Sequence, residues 1–231
     1  MRRMRNSILG LTLVMCVGSG TAAFACSAPD GQVRQFSAKT GSLVNAILVD
    51  PNGKNDLDRI TYLRDLLSEN SLNAYEAATI SQMLGAAYYE LNDYDRAIEA
   101  FEMAIDACGL LPKEVSNLQV NIAQLLIADN KPAKGAQRLE DWIAAGGVPK
   151  PRYIEYLWQA WSQAEQYDRA LPWAEKWFEA ANPKQRKHYD LLNFLHHQLG
   201  QYDKQRTIVE KMHTRWPDDP QISKMLNALT R

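Results

Sequence analysis

One run of residues recurs four times in this chain: an apolar residue, a small residue and an aromatic, then a polar turn, then a second amphipathic stretch. The clearest copy reads Leu84, Gly85 and Tyr88, then Asn92-Asp93-Tyr94-Asp95, then Ala97, Phe101 and Ala104. Its frame puts equivalents of Ala97 at Gly135, Ala170 and Gln205, with separations of 38, 35 and 35 residues. Apolar positions three and four apart on both sides of each turn predict helices, because 3.6 residues per turn brings them onto one face. One such hairpin leaves an apolar face open, so it is stable only when its neighbours stack on it.

A helix-turn-helix unit repeating about every 34 residues resembles the tetratricopeptide repeat (TPR). The resemblance implies an all-α, right-handed α-solenoid of about four repeats over residues 56–231. The repeats fall near 78–111, 116–149, 151–184 and 186–219, followed by a capping helix. Paired helices are expected near 74–91 and 94–107, 113–129 and 132–145, 151–165 and 168–181, and 184–199 and 202–215. A last helix covers 221–229. Gly146-Gly147 reads as a C-cap, and Asp93, Asp95, Asp168 and Asp203 read as caps of the helices that follow them. Gly85 and Ala123 let the two helices of a hairpin approach, and Tyr88, Leu126, Trp161 and His196 fill the gap one turn later. Trp142, Trp177 and Met212 stand where Ala104 is small, which predicts wider spacing in the C-terminal half.

The start of the chain reads differently. Met1-Arg2-Arg3-Met4-Arg5, the apolar run Ile8 to Val17 and Ala23-Phe24-Ala25 form a signal peptide over 1–25, too short to span a bilayer. Ordinary secretion into a bacterial periplasm is expected, with a mature chain beginning at Cys26. Residues 26–55 are turn-rich and read as an irregular leader, within which 43–49 is apolar enough for a short strand or helix. Leu57, Ile60, Leu63, Leu66 and Leu67 mark a helix that looks like the second half of a degenerate opening repeat.

Cys26 has three readings: a free thiol, the lipidated cysteine of an outer-membrane lipoprotein, or one half of a disulfide with Cys108. Phe24 fits the lipoprotein pattern poorly. Cys108 also reads as a buried helix residue.

Without Arg2, Arg3 and Arg5 the chain carries 23 basic and 27 acidic side chains, a net charge of −4. That is too balanced for a nucleic-acid binder, which needs a concentrated basic stripe. Phosphate loops, a Gly-x-Ser-x-Gly elbow and Cys-x-x-Cys pairs are absent from the sequence, so no catalytic residue and no cofactor is expected. His188, His196, His197 and His213 lack ligand partners at metal-site spacings, and His196 falls on a packing position. The aromatics from Trp142 to Phe178 are mostly core, Trp158, Trp161 and Trp177 among them. Tyr153, Tyr156 and Trp173 fit the repeat less well and read as exposed anchors for a partner.

In such arrays the first helix of each hairpin lines a concave groove through repeat positions two, five, nine and twelve. Those positions are Thr79, Gln82, Ala86 and Tyr89; Asn117, Val120, Gln124 and Ile127; Arg152, Glu155, Gln159 and Ser162; and Lys187, Asp190, Phe194 and His197. This amide-rich lining, with mixed charge at its C-terminal end, points to a polar peptide from a partner protein.

Three stretches carry a finer likeness: 121–125 (Asn-Ile-Ala-Gln-Leu), 171–178 (Leu-Pro-Trp-Ala-Glu-Lys-Trp-Phe) and 186–194 (Arg-Lys-His-Tyr-Asp-Leu-Leu-Asn-Phe). From Leu84 to Pro217 the chain resembles the TPR protein found with TonB, ExbB and ExbD energy-transduction systems. That family often carries further repeats. The resemblance implies a secreted, non-catalytic accessory of outer-membrane uptake. The alternatives are a lipid-anchored envelope-assembly or cell-wall coordination factor, a generic peptide-docking adaptor, and a helical accessory domain of an enzyme.

Overall fold

The computed structural model describes residues 26–28, 31–32, 34–48, 56–69 and 71–230. The signal peptide expected over 1–25 lies outside them. Among the described residues there are eleven helices and no strand. They are α1 (Ala38–Leu48), α2 (Asp56–Leu67), α3 (Ala74–Glu90), α4 (Tyr94–Asp106), α5 (Pro112–Ala128), α6 (Pro132–Ala144), α7 (Pro151–Gln163), α8 (Tyr167–Ala180), α9 (Arg186–Gln198), α10 (Tyr202–Arg215) and α11 (Pro220–Leu229). α3 packs on α4, α5 on α6, α7 on α8 and α9 on α10, each pair joins the next, and α11 covers α10. The second helices start 38, 35 and 35 residues apart, the period carried by Ala97, Gly135 and Ala170.

Close packing explains the small residues. A Cβ on Gly85 would lie 2.5 Å from the Phe101 ring, and one on Gly135 would lie 2.6 Å from the Ala123 carbonyl oxygen. Ala97, Ala123 and Ala170 are fully buried. Each complete burial of a Leu such as Leu139, Leu157 or Leu195 stabilises the fold by roughly 1.5–3 kcal/mol.

The turn inside each hairpin is the same structure four times. Asn92, Asn130, Glu165 and Gly200 have φ of 57°, 56°, 57° and 65°. At each, the residue's own N–H bonds a carbonyl three back, and the next N–H bonds one five back. In the first turn these bonds are Asn92 N–H to Tyr89 O (2.9 Å) and Asp93 N–H to Tyr88 O (3.0 Å). This Schellman arrangement satisfies carbonyls that the helix end leaves open. Glycine adopts it freely and asparagine tolerates it, but Glu165 is held there against its side-chain sterics. Gly146, with φ 97°, closes α6 the same way.

Three expectations need correction. First, the leader is not irregular throughout. Residues 38–48 form α1, whose Val44 is buried with Ile60, Leu63 and Leu66 of α2 and with Ile80 and Leu84 of α3. Leu43, Val44 and Ile47 share one helical face, and the Ser37 hydroxyl accepts the Thr40 N–H (3.2 Å) to start the helix. Second, of the four turn aspartates only Asp93 caps, its carboxylate accepting the Arg96 N–H (3.2 Å). Asp95, Asp168 and Asp203 stand one residue inside the helices that begin at Tyr94, Tyr167 and Tyr202. From there they favour the helix dipole instead of closing its end. Third, Tyr153 is buried and meets the Trp142 ring edge-on at 5.7 Å. Tyr156 and Trp173 are half-buried. The Trp173 N–H donates to Glu140 (2.7 Å), so these aromatics serve the core before any partner. Trp142 and Met212 are buried as well, filling the site that Ala104 leaves small.

Cys26 and Cys108 are disulfide-bonded, with Cα atoms 4.7 Å apart across 82 residues of sequence. Cys108 itself has φ 55° in the turn after α4. The bridge holds the leader against the first two repeats. Ala28 N–H donates to Leu110 O (2.7 Å), Arg34 donates to Glu114 (2.5 Å) and Ser37 N–H to Glu76 (2.7 Å).

Candidate peptide-binding face

The first helices of the hairpins, α3, α5, α7 and α9, carry the sixteen register positions, of which Ile127 packs against the core. Val120 is buried in the core that α5 shares with α6 and α7 and does not line the face. Tyr89, Ala86, Asn117, Arg152, Gln159, Lys187, Phe194 and His197 are exposed, and Gln82, Gln124, Glu155 and Asp190 are half-buried. Tyr89 is 54% and Phe194 42% exposed, high values for rings of this size.

Two niches open along this face at equivalent places. The first, about 370 Å³, lies between the last turns of α3 and α5 and is bounded by Tyr89, Tyr94, Phe101, Asn121, Gln124 and Leu125. The second, about 400 Å³, lies between α9, α10 and α11 and is bounded by His197, Tyr202, Gln205, Met225 and Leu229. The structure therefore joins Tyr89 with Gln124 and leaves His197 in a separate niche. Phe194 contacts neither. Its ring packs edge-on against Tyr167 at 5.6 Å and fills the corresponding place in the third hairpin.

Tyr94, Tyr167 and Tyr202 open the second helices and form the shared wall of these places, yet they are missing from the sequence-derived set. Their signal was present, since a Tyr-Asp pair recurs at 94–95, 167–168 and 202–203. A frame restricted to the first helices passes over it.

Charge concentrates at the C-terminal end of the face. Arg152 donates to the Tyr153 hydroxyl (3.3 Å), which raises its pKa. Gln159 bonds Glu155 at 3.5 Å. Asp190 accepts from Arg186 (2.8 Å), and Arg186 also holds Asp219 (2.5 Å), the N-cap of α11. Those two carboxylates raise the Arg186 pKa, and Arg186 holds the Asp219 carboxyl below the ordinary value.

A larger cleft of about 510 Å³ lies on the side of α4, α6 and α8. Within it Glu102 pairs with Arg138, and Arg169 at its edge pairs with Glu140. Among the histidines, His196 is buried and bonds Gln201 through Nδ1 (3.0 Å), and the buried His188 accepts the Gln185 N–H (2.8 Å). Among the described residues no three His, Cys, Asp or Glu side chains gather as a metal would require. No helix among the described residues is long and apolar enough to cross a membrane.

The repeated hairpins, their stacking order and their shared turn define a tetratricopeptide-repeat solenoid. No protein-family model matches the chain, and no curated protein matches it in sequence. Solved structures carry the same fold. A tetratricopeptide repeat protein from Parabacteroides merdae superposes with a TM-score of 0.52 at 13% identity, covering 84% of this chain and 73% of its own. MamA from Desulfovibrio magneticus RS-1, residues 41 to its end, gives 0.51 at 17% identity, covering 80% of this chain and all of its own. At such identities the likeness shows the fold alone.

Proposed function

We propose that this chain is an exported, non-catalytic scaffold that holds a protein or peptide partner along the face of α3, α5, α7 and α9. The carrying observation is the pair of aromatic-walled, amide-edged niches three hairpins apart, at Tyr89–Gln124 and at His197–Tyr202. Rigid aromatics beside amides suit a polypeptide, whose backbone needs donors and acceptors and whose side chains need apolar surface.

Its place is the periplasm, as an accessory of a TonB-type uptake system with TonB, ExbB or ExbD components as partners. The signal-like start and the Cys26–Cys108 disulfide support export, because disulfides persist in oxidising compartments. The three TonB-associated stretches support the system. A lipid-anchored envelope factor is the second reading, favoured only by the position of Cys26. A sulfur bonded to Cys108 has no thiol left for a thioether to lipid.

Intact mass of the secreted protein decides between these readings. The scaffold reading expects a chain beginning at Cys26 that gains one pair of hydrogens on reduction. A diacylglycerol adduct would establish the anchored form instead. The face itself is tested by affinity capture with the triple variant Gln124→Ala/Lys187→Ala/Phe194→Ala. Loss of the partners captured by wild type is expected, and unchanged capture moves binding elsewhere.

A further inference from the structure

The described residues of the leader show how this array holds a segment that is not part of a hairpin. Its residues 26–28 and 34–37 strap the α4–α5 connection and the start of α3. Ala28 N–H bonds Leu110 O, Arg34 bonds Glu114 and the Gly109 carbonyl (3.4 Å), and Ser37 N–H bonds Glu76. Under it the rim is acidic and covered, with Leu110 1% exposed. The next two connections, α6–α7 and α8–α9, occupy the same place in the repeat with no strap among the described residues. Val148 in the first of them is 83% exposed.

The charge there is reversed. Lys150, Arg152, Lys184 and Lys187 stand at or just before the starts of α7 and α9, the ends that carry Glu76 and Glu114 in α3 and α5, and none of the four pairs with a described carboxylate. Three of them lie over rings that hold them in position: Arg152 over Tyr153 at 5.1 Å, Lys184 over Phe178 at 5.2 Å and Lys187 over Trp177 at 5.5 Å. Asp190 and Asp219 are both taken by Arg186, which leaves Glu155, Glu179 and Asp141, the last bonded to Gln137, as the acidic groups of these segments.

From this we infer that the strip over α6–α7 and α8–α9 binds an extended acidic segment of a partner protein. The segment continues the line of the leader and meets Lys150, Arg152, Lys184 and Lys187 with the Arg34–Glu114 polarity exchanged. The inference rests on the reading of the chain as a protein-binding array and adds the partner's chemistry and a second contact line.

The probe is a short fluorescein-labelled peptide alternating glutamate and serine, with a glutamine-for-glutamate control, followed by anisotropy on the oxidised chain from Cys26 onward. The glutamate peptide is expected to bind at about 50 mM salt and to weaken about tenfold by about 300 mM. The glutamine peptide binds at least about tenfold more weakly. Lys150→Glu/Lys187→Glu removes binding and Lys150→Gln/Lys187→Gln weakens it, while Lys39→Glu/Lys113→Glu on the strapped half has little effect. Equal binding of the two peptides, equal loss in the two glutamate variants, or no binding at all overturns the strip. Binding lost in Gln124→Ala/Phe194→Ala but kept in Lys150→Glu/Lys187→Glu also overturns it, and leaves the niche face standing. Capture that survives Gln124→Ala/Phe194→Ala, which leaves Lys187 in place, while the peptide still binds the strip sinks the face and leaves the strip.

Discussion

The two halves of this solenoid hold themselves together by different means. In the first, α3 and α5 begin with glutamates at their third positions, Glu76 and Glu114, whose carboxylates fold back to the chain before the helix and also take the leader. Small residues face large ones across each hairpin, and the disulfide closes the end. In the second half the joints are aromatic and polar. Glu140 accepts the indole N–H groups of Trp161 (2.9 Å) and Trp173 (2.7 Å) and pairs with Arg169, whose guanidinium lies 3.6 Å from the centre of the Trp161 ring. Further on, Gln205 stands where Ala97 and Ala170 stand, and its amide donates to Asn193 (3.0 Å). One repeat pattern therefore admits two kinds of joint, one made by volume and a covalent tie, the other by directed hydrogen bonds.

Cutting the tie sharpens the contrast most. Cys26→Ser removes a cross-link spanning 82 residues, worth about 4–5 kcal/mol by chain entropy. Hydrogen exchange should quicken in α1 to α5 and stay slow in α7 to α10. Uniform quickening would erase the distinction between the halves. Glu140→Ala should cost about 2–4 kcal/mol in chemical denaturation, since two indole donors and a guanidinium lose their acceptor. Glu140→Gln should recover part of that loss by serving one indole.

Acid should act first on the strapped half. Burial alone would raise the Glu76 pKa, but N–H bonds from Asn73 and Ser37 and the hydroxyls of Ser37 and Thr40 outweigh it and hold the carboxyl below its ordinary 4.5. Glu114 is held low in the same way, burial being outweighed by Arg34 and the Leu111 N–H. A carboxyl lowered in the folded state contributes stability above its unfolded pKa and loses it as pH falls through the folded one. Denaturation midpoints should therefore fall below about pH 4.5 and less steeply in Glu76→Gln. A slope unchanged by that substitution would remove Glu76 from the account. The smallest effect belongs to the third hairpin turn. Glu165→Gly should stabilise by up to about 1 kcal/mol, because glycine meets φ 57° without a Cβ conflict.

How much of this was legible varies from residue to residue. The period came through because Ala97, Gly135 and Ala170 are small for one reason, contact between two helix axes, and that reason is written at three of the four copies, with Gln205 at the last. Helix ends fell within a few residues of expectation for the same cause. The α1 helix was not readable, since Leu43, Val44 and Ile47 suit a strand as well until α2 and α3 supply the surface that buries them. Val120 obeys the repeat register yet is buried in the shared core, and Tyr153, which fits the repeat less well, is buried there against Trp142. The Tyr-Asp pairs showed their recurrence but not their destination. Register tells which residues share a row; it does not tell which neighbour claims a side chain.

The exchange of sizes across each hairpin reaches beyond stability. Gly85 meets Phe101, and the same two register positions hold Ala123 with Leu139, Trp158 with Ala174, and Asn193 with Val209. Each hairpin is tailored to itself, like a key cut together with its lock. Splicing that moves entire hairpins would preserve these matches. A crossover inside one would set Trp158 against Phe101, or Gly85 against Ala174, and leave a clash or a hole. The natural unit of recombination in this chain is therefore the whole hairpin, and its silent boundaries are the connections that carry the exposed rim.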